Sequence, residues 1–255
     1  MFWTTKTKKN ATDIHAMTML KDNDSFNMNN LLTDFRKNYE HELIEESADE
    51  IASAFRVDGE PFGIVHVKVP IPSGDIEWAA EVAHNWPTAL DELKAHKGHV
   101  IITTFPGHLK QVERFKILTR LVFSLLRTSD AIGVYKGNQR LLVSKDDYLK
   151  GEMILRNNAL PIRLWVYFGL LTNENGNSGF TFGMKEFNKL EMEINDSSKS
   201  LEEINGFLYD ITYYTLAKDV AFKTGSTFSA DGVDRIPINK SKSELFDEET
   251  LKLRF

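Results

Sequence analysis

Two runs of alternating residues, Ile51–Val57 and Phe62–Val69, stand on either side of Asp58-Gly59. Alternation with period two belongs to a half-buried strand, and Asp-Gly supplies the positive φ angles of a tight turn, so the stretch predicts an antiparallel hairpin. Around it the chain alternates in type. Ile14–Leu20 reads as a strand, and Met28–Tyr39 carries Leu31, Leu32, Phe35 and Tyr39 at helical spacing. After the hairpin, Pro70 and Pro72 end the strand and Ser73 is a candidate cap for a helix beginning near Asp75. Pro87 kinks or restarts that helix because it lacks an amide donor and crowds the preceding turn. The next segment, Thr88–Lys97, stops at Gly98, and His99–Thr104 is a β-branched run suited to a central strand. The order β-α-β-β-α-β is the ferredoxin-like pattern.

A long helix is expected over Leu109–Arg127, with Val112, Phe115, Leu118, Val122 and Leu125 along one face. The second half reads as a degenerate repeat: strand Ala131–Tyr135, helix Asp146–Arg156, then Ile162–Leu171 and Phe180–Met184 as a hairpin across residues 173–179. Lys189–Ile194 is an extra strand. Ser200 and Glu203 form a capping box for a helix whose buried side carries Leu201, Ile204, Leu208, Ile211 and Thr215. Leu251, Leu253 and Phe255 alternate with Lys252 and Arg254 as a terminal strand. The expected fold is therefore α+β, two fused ferredoxin-like subdomains with mainly antiparallel sheets. The first spans 1–128, including the long connecting helix, and the second spans 129–255; edge-to-edge joining into one unit would cover their strand edges.

The chain has no cysteine, which excludes disulfides, iron–sulfur clusters and thiolate zinc sites and fits a reducing compartment. Met1–Ile14 has no apolar run of signal-peptide length. Leu164–Leu171, the most apolar stretch, is broken by Gly169 and is less than half the length a membrane-spanning helix needs. A cytoplasmic protein without a membrane span is expected. The formal net charge is −6 with basic residues scattered along the chain, which is not the footprint of a nucleic-acid binder and is more compatible with a basic protein partner.

Chemistry-bearing patterns are sparse. His41-Glu42-Leu43-Ile44-Glu45 starts like a zincin helix, but position 45 is glutamate where the second imidazole would stand. With six acids between Glu40 and Glu50, the segment reads as a solvated charged connection. His66, His84, His96, His99 and His108 fall in one stretch, yet no two lie at i,i+4 on a helix, and whether they bind a metal is left open. Trp86, Trp165, Tyr135, Tyr167 and Phe168 could line a pocket, but aromatics embedded in apolar strands are usually core. There is no Gly-rich phosphate loop and no nucleophile elbow. Asp146-Asp147 and Glu202-Glu203 stand at helix starts, where capping and the helix dipole account for them.

Several short stretches resemble a known family. They are Trp86-Pro87, Ala95–Thr103, Gly133-Val134-Tyr135, Leu160-Pro161 with Leu164-Trp165-Val166, and Gly183-Met184 followed by Leu190–Ile194. From about Phe62 to Ile238 the chain resembles the bacterial domain of unknown function catalogued as number forty-two sixty-one. The resemblance implies a bacterial source and a shared fold, and it transfers no activity, cofactor or catalytic residue. It also implies a place beside toxin genes. The expected function is a non-enzymatic immunity protein that binds and neutralises a toxin, with no cofactor. Its nominated partner surface is Glu40, Glu42, Glu45, Glu46, Asp49 and Glu50. An enzyme or haem- or metal-binding protein, and a structural or regulatory module, are the alternatives.

Overall fold

The Asp58-Gly59 turn forms with both residues at positive φ, 51° and 79°, the backbone of a two-residue hairpin whose twist matches its strands. The computed structural model describes residues 13–48, 52–229 and 235–255. The chain divides into two units, Met1–Pro72 with Glu92–Ile132, and Ser73–Asp91 with Gly133–Phe255. Segment Ser73–Asp91, which the sequence reading keeps with the first half, thus clusters with the second.

The first half runs β1 (Ile14–Leu20), α1 (Met28–Asn38), β2 (Leu43–Ala48), β3 (Ala52–Val57), β4 (Glu60–Val67), α2 (Ser73–Glu81), α3 (Ala89–Leu93), β5 (Gly98–Thr104) and α4 (Gln111–Thr128). The second runs β6 (Ala131–Lys136), β7 (Leu141–Ser144), α5 (Lys145–Arg156), β8 (Tyr167–Asn173), β9 (Gly176–Phe182) and β10 (Met192–Ser197). It finishes with α6 (Leu201–Ala217), β11 (Ser226–Phe228), β12 (Ile236–Lys242) and β13 (Glu249–Leu253). The protein is α+β, with six α-helices among the described residues and two mainly antiparallel sheets. None of these helices is long and apolar enough to cross a membrane.

In the first unit the strands lie in the order β2-β3-β4-β5-β1, each antiparallel to its neighbour. A ferredoxin-like sheet would place the first strand between the third and the last. Here β5 pairs with β4 on one side and β1 on the other, and an extra strand, β2, precedes the hairpin, so both the element order and the strand order differ from the ferredoxin-like expectation. Local pattern fixes the elements, whereas strand order depends on long-range pairing that periodicity does not encode.

Helix α4 packs against α1, β1 and β5. Its residues Phe115, Leu118, Val122 and Leu125 are completely buried, and each contributes about 1.5–3 kcal/mol of burial. Asn27 caps α1 by accepting the Asn30 amide, and the Arg127 guanidinium of α4 grips the Asp34 carboxylate of α1. Burial pushes the Asp34 carboxyl up, but hydrogen bonds from Arg127 and Ser124 and the Arg127 charge outweigh it and hold the group below its ordinary value.

In the second unit a six-stranded sheet has the order β11-β12-β13-β10-β9-β8. Only β10 and β13 are parallel, with Met192 opposite Leu251 and Glu193 opposite Lys252. This order also differs from that of a ferredoxin-like repeat. Helix α6 starts at the capping box read from sequence, Ser200 with Glu203, and packs on β8 and β9. The approach is close at Gly179, where an added Cβ would lie 2.5 Å from Ile204 Cγ2 and 2.9 Å from Leu208 Cδ1. The expected strand from Ile162 begins only at Tyr167. Ile162–Leu164 is a 3-10 turn instead. Ile162, Leu164, Trp165 and Val166 are apolar because their side chains are buried, while Arg163 between them is exposed.

Candidate functional site

The acidic stretch is a strand where a solvated connection was expected. Leu43–Ala48 forms β2, the end strand of the first unit's sheet. Its entry is fixed by Asp58, whose Oδ1 accepts the Glu42 amide at 3.0 Å and whose own amide donates to the Glu42 carbonyl at 2.9 Å. Glu40, Glu42, Glu45 and Glu46 are all exposed. Glu45 pairs with Arg36 and Glu46 with Arg56, both at 2.6 Å. Asp49 and Glu50 lie outside the described residues. Between the acids Ile44 is 50% exposed.

His41 stands just before β2. Its Nε2 accepts from Arg120 at 2.9 Å, which leaves Nδ1–H to donate to Asp58 at 2.6 Å, and the ring stacks on Phe35. The remaining histidines are spread over distinct roles. His96 accepts the Ile71 amide at 3.0 Å and donates to the Leu93 carbonyl at 2.5 Å, tying a loop to the end of α3. His99 donates to the Val69 carbonyl at 3.0 Å, and burial holds its imidazole below the ordinary value. His66 packs edge-on against Phe26, and burial lowers its pKa too. His108 pairs with Glu60 at 2.8 Å, and His84 is exposed. Among the described residues no group of three or more histidine or acidic side chains is placed to hold a metal ion.

Three buried carboxylates tie separate segments together. Glu60 accepts the His108 and Leu109 amides at 2.6 and 2.7 Å. A side chain at Gly107 would strike its Oε2 at 2.0 Å, so the loop after β5 needs glycine there. Glu193 accepts from Ser243, Thr250 and Lys252, binding β10 to β13 and the segment before it. Glu191 accepts the Gly183 amide at 2.9 Å, the Thr181 hydroxyl at 2.8 Å and the Lys185 amide at 3.3 Å. Burial nevertheless pushes its carboxyl up to about 7. Lys136, also fully enclosed, is brought down to about 7 by burial, against the pull of the Glu186 charge.

A concavity with mainly apolar walls lies in the second unit. It has a volume of about 540 Å³, within the range of small-molecule sites. Trp86, Leu142, Ile154 and Leu164 give it apolar walls, while Asp147, Lys150, Arg163 and Tyr209 supply the polar groups. Trp86 is seated against Gly133, where an added Cβ would come within 2.6 Å of the indole. Ser144 caps α5 by accepting the Asp147 amide at 3.2 Å, which sets the Asp147 carboxylate 2.6 Å from Lys150. The Arg163 guanidinium lies over the Tyr209 and Phe168 rings, 5.3 and 5.5 Å from their centroids. Burial raises the Tyr209 phenol above its ordinary value, so it keeps its proton at neutral pH. Of the aromatics singled out from sequence, Trp165, Tyr135 and Phe168 are core, Tyr167 is half-buried, and Trp86 lines the cavity. Sequence reasoning missed Arg163 and Tyr209, although a lone arginine inside a buried apolar run is a usable signal.

No curated protein and no solved structure matches the chain. Gly183-Met184 and Leu190–Ile194 lie inside the one span that a family model matches, and the other resembling stretches lie outside it. That span holds most of the second unit's sheet together with α6: residues 180–254 match the model of a domain of unknown function, DUF4261.

Proposed function

We propose that this protein is a non-enzymatic binding protein that takes a basic protein partner along the acidic edge at β2, as a cytoplasmic antidote to a bacterial toxin. The observation that carries the reading is an end strand with Ile44 half exposed between carboxylates. An end strand offers unpaired backbone groups to an incoming extended segment. Two acidic edges laid side by side repel each other, so the charges that discourage pairing with a second copy favour a lysine- or arginine-rich segment. Glu45 and Glu46 are already matched by arginines, which leaves Glu40 and Glu42, among the described residues of this surface, as the carboxylates available to a partner.

The test begins with the partner retained by the tagged protein from its native cell, identified as a product that is toxic when expressed alone. Its association rate is then measured with wild type and with the Glu40→Lys/Glu42→Lys double variant. The variant should associate roughly tenfold more slowly in low salt, and the difference should fade in high salt. Equal rates in low salt would overturn the assignment of the surface, and a partner without toxicity would overturn the antidote role.

A further inference from the structure

We infer that the cavity of the second unit binds a small monocarboxylate with a flat apolar body, whose carboxylate is held by Arg163. This site is independent of the acidic edge and of any protein partner.

The size and lining set the ligand class. A volume of about 540 Å³ suits a compact organic molecule, and small-molecule sites combine mainly apolar walls with a few converging polar groups. Trp86, Leu142, Ile154 and Leu164 form such walls, and the Trp86 indole with the Tyr209 ring favours a flat partner. The lining carries two cations and one carboxylate. Lys150 and Asp147 satisfy each other at 2.6 Å, so the charge left for a ligand is that of Arg163, and it matches a single negative charge.

Arg163 is prepared for the role. It has no carboxylate partner among the described residues, and its only hydrogen bond there is a 3.5 Å contact to Asn205. Stacking on Tyr209 and Phe168 restricts the long side chain before anything binds, which lowers the entropy lost on complex formation. A guanidinium presents two parallel N–H donors that fit a carboxylate. Tyr209, also in the lining, offers a hydroxyl donor beside it.

The experiment is isothermal titration of the full chain with 1-naphthoate and with its neutral counterpart 1-naphthamide. Naphthoate should bind, and naphthamide should bind at least tenfold more weakly, because a charge-assisted hydrogen bond is worth about that much. Arg163→Gln changes an exposed residue and should weaken naphthoate tenfold or more while leaving naphthamide unchanged. Ile154→Trp, which fills the cavity from its partly exposed rim, should abolish binding of both. Absence of naphthoate binding to the wild type overturns the inference. So does equal affinity for acid and amide, or an Arg163→Gln variant that binds naphthoate as well as the wild type.

Discussion

Replacing Glu191 with glutamine should make the protein more stable than the wild type at alkaline pH and nearly equal to it at acidic pH. The Glu191 carboxyl, ordinarily near 4.5, is pushed up to about 7 by burial, with the nearby Glu248 charge adding to the effect and the Gly183, Thr181 and Lys185 hydrogen bonds opposing it. Between those two values the folded protein keeps a proton that the unfolded chain has released. The unfolded state therefore binds fewer protons, and stability falls as pH rises through that window. Each pH unit separating the folded and unfolded values corresponds to about 1.4 kcal/mol, so the full penalty above pH 7 is roughly 3 kcal/mol. Glutamine reproduces the shape of the neutral acid and does not ionise. Urea unfolding of both proteins across the range, compared as differences so that all other titrations cancel, should show a gap of under about 1 kcal/mol near pH 5 that widens to roughly 3 kcal/mol near pH 8. A gap that stays constant over this range would refute the argument, because it would mean that Glu191 does not titrate there.

Lys136→Met should give the mirror image. The folded amine is held near 7 against an ordinary 10.5, so the unfolded state binds the extra proton between those values and wild-type stability rises with pH. The advantage of the variant, measured in the same unfolding series, should therefore shrink from neutral pH toward pH 10. Gly179→Ala should destabilise the second unit by about 1–3 kcal/mol, since its methyl would enter the space held by Ile204 and Leu208. Ile204→Ala, which removes the Cγ2 that the new methyl would strike, should cost less in the Gly179→Ala background than in the wild type; a strictly additive pair in thermal unfolding would count against direct crowding.

Parts of the fold that rest on neighbours in sequence were legible. Asp58-Gly59, the Ser200 and Glu203 box and the apolar face of α4 were all read correctly because each is decided within a few residues. The acidic stretch was misread as a connection because its charges hid the strand formed by pairing with β3. Ile162–Val166 reads in the opposite direction, since burial of Ile162, Leu164, Trp165 and Val166 makes a turn as apolar as a strand. Strand order was not legible, because β5 between β4 and β1 depends on contacts between distant segments. The cavity was legible only at Trp86, a residue of the connection between α2 and α3 whose glycine partner, Gly133, belongs to β6. Arg163 and Tyr209 gain their meaning from the packing of α6 beside the Ile162–Leu164 turn.

The position of β13 also bears on how the second unit is made. It lies between β10 and β12 and is the only strand joining the β8-β9-β10 hairpin series to the β11-β12 pair. A ribosome adds residues at about 5–20 per second, so the earlier strands emerge as two separate pieces and wait for residues 249–253. During that interval the inner edges of β10 and β12 are bare, and each is a template for another nascent chain. Completion of this sheet thus waits for the arrival of one short strand.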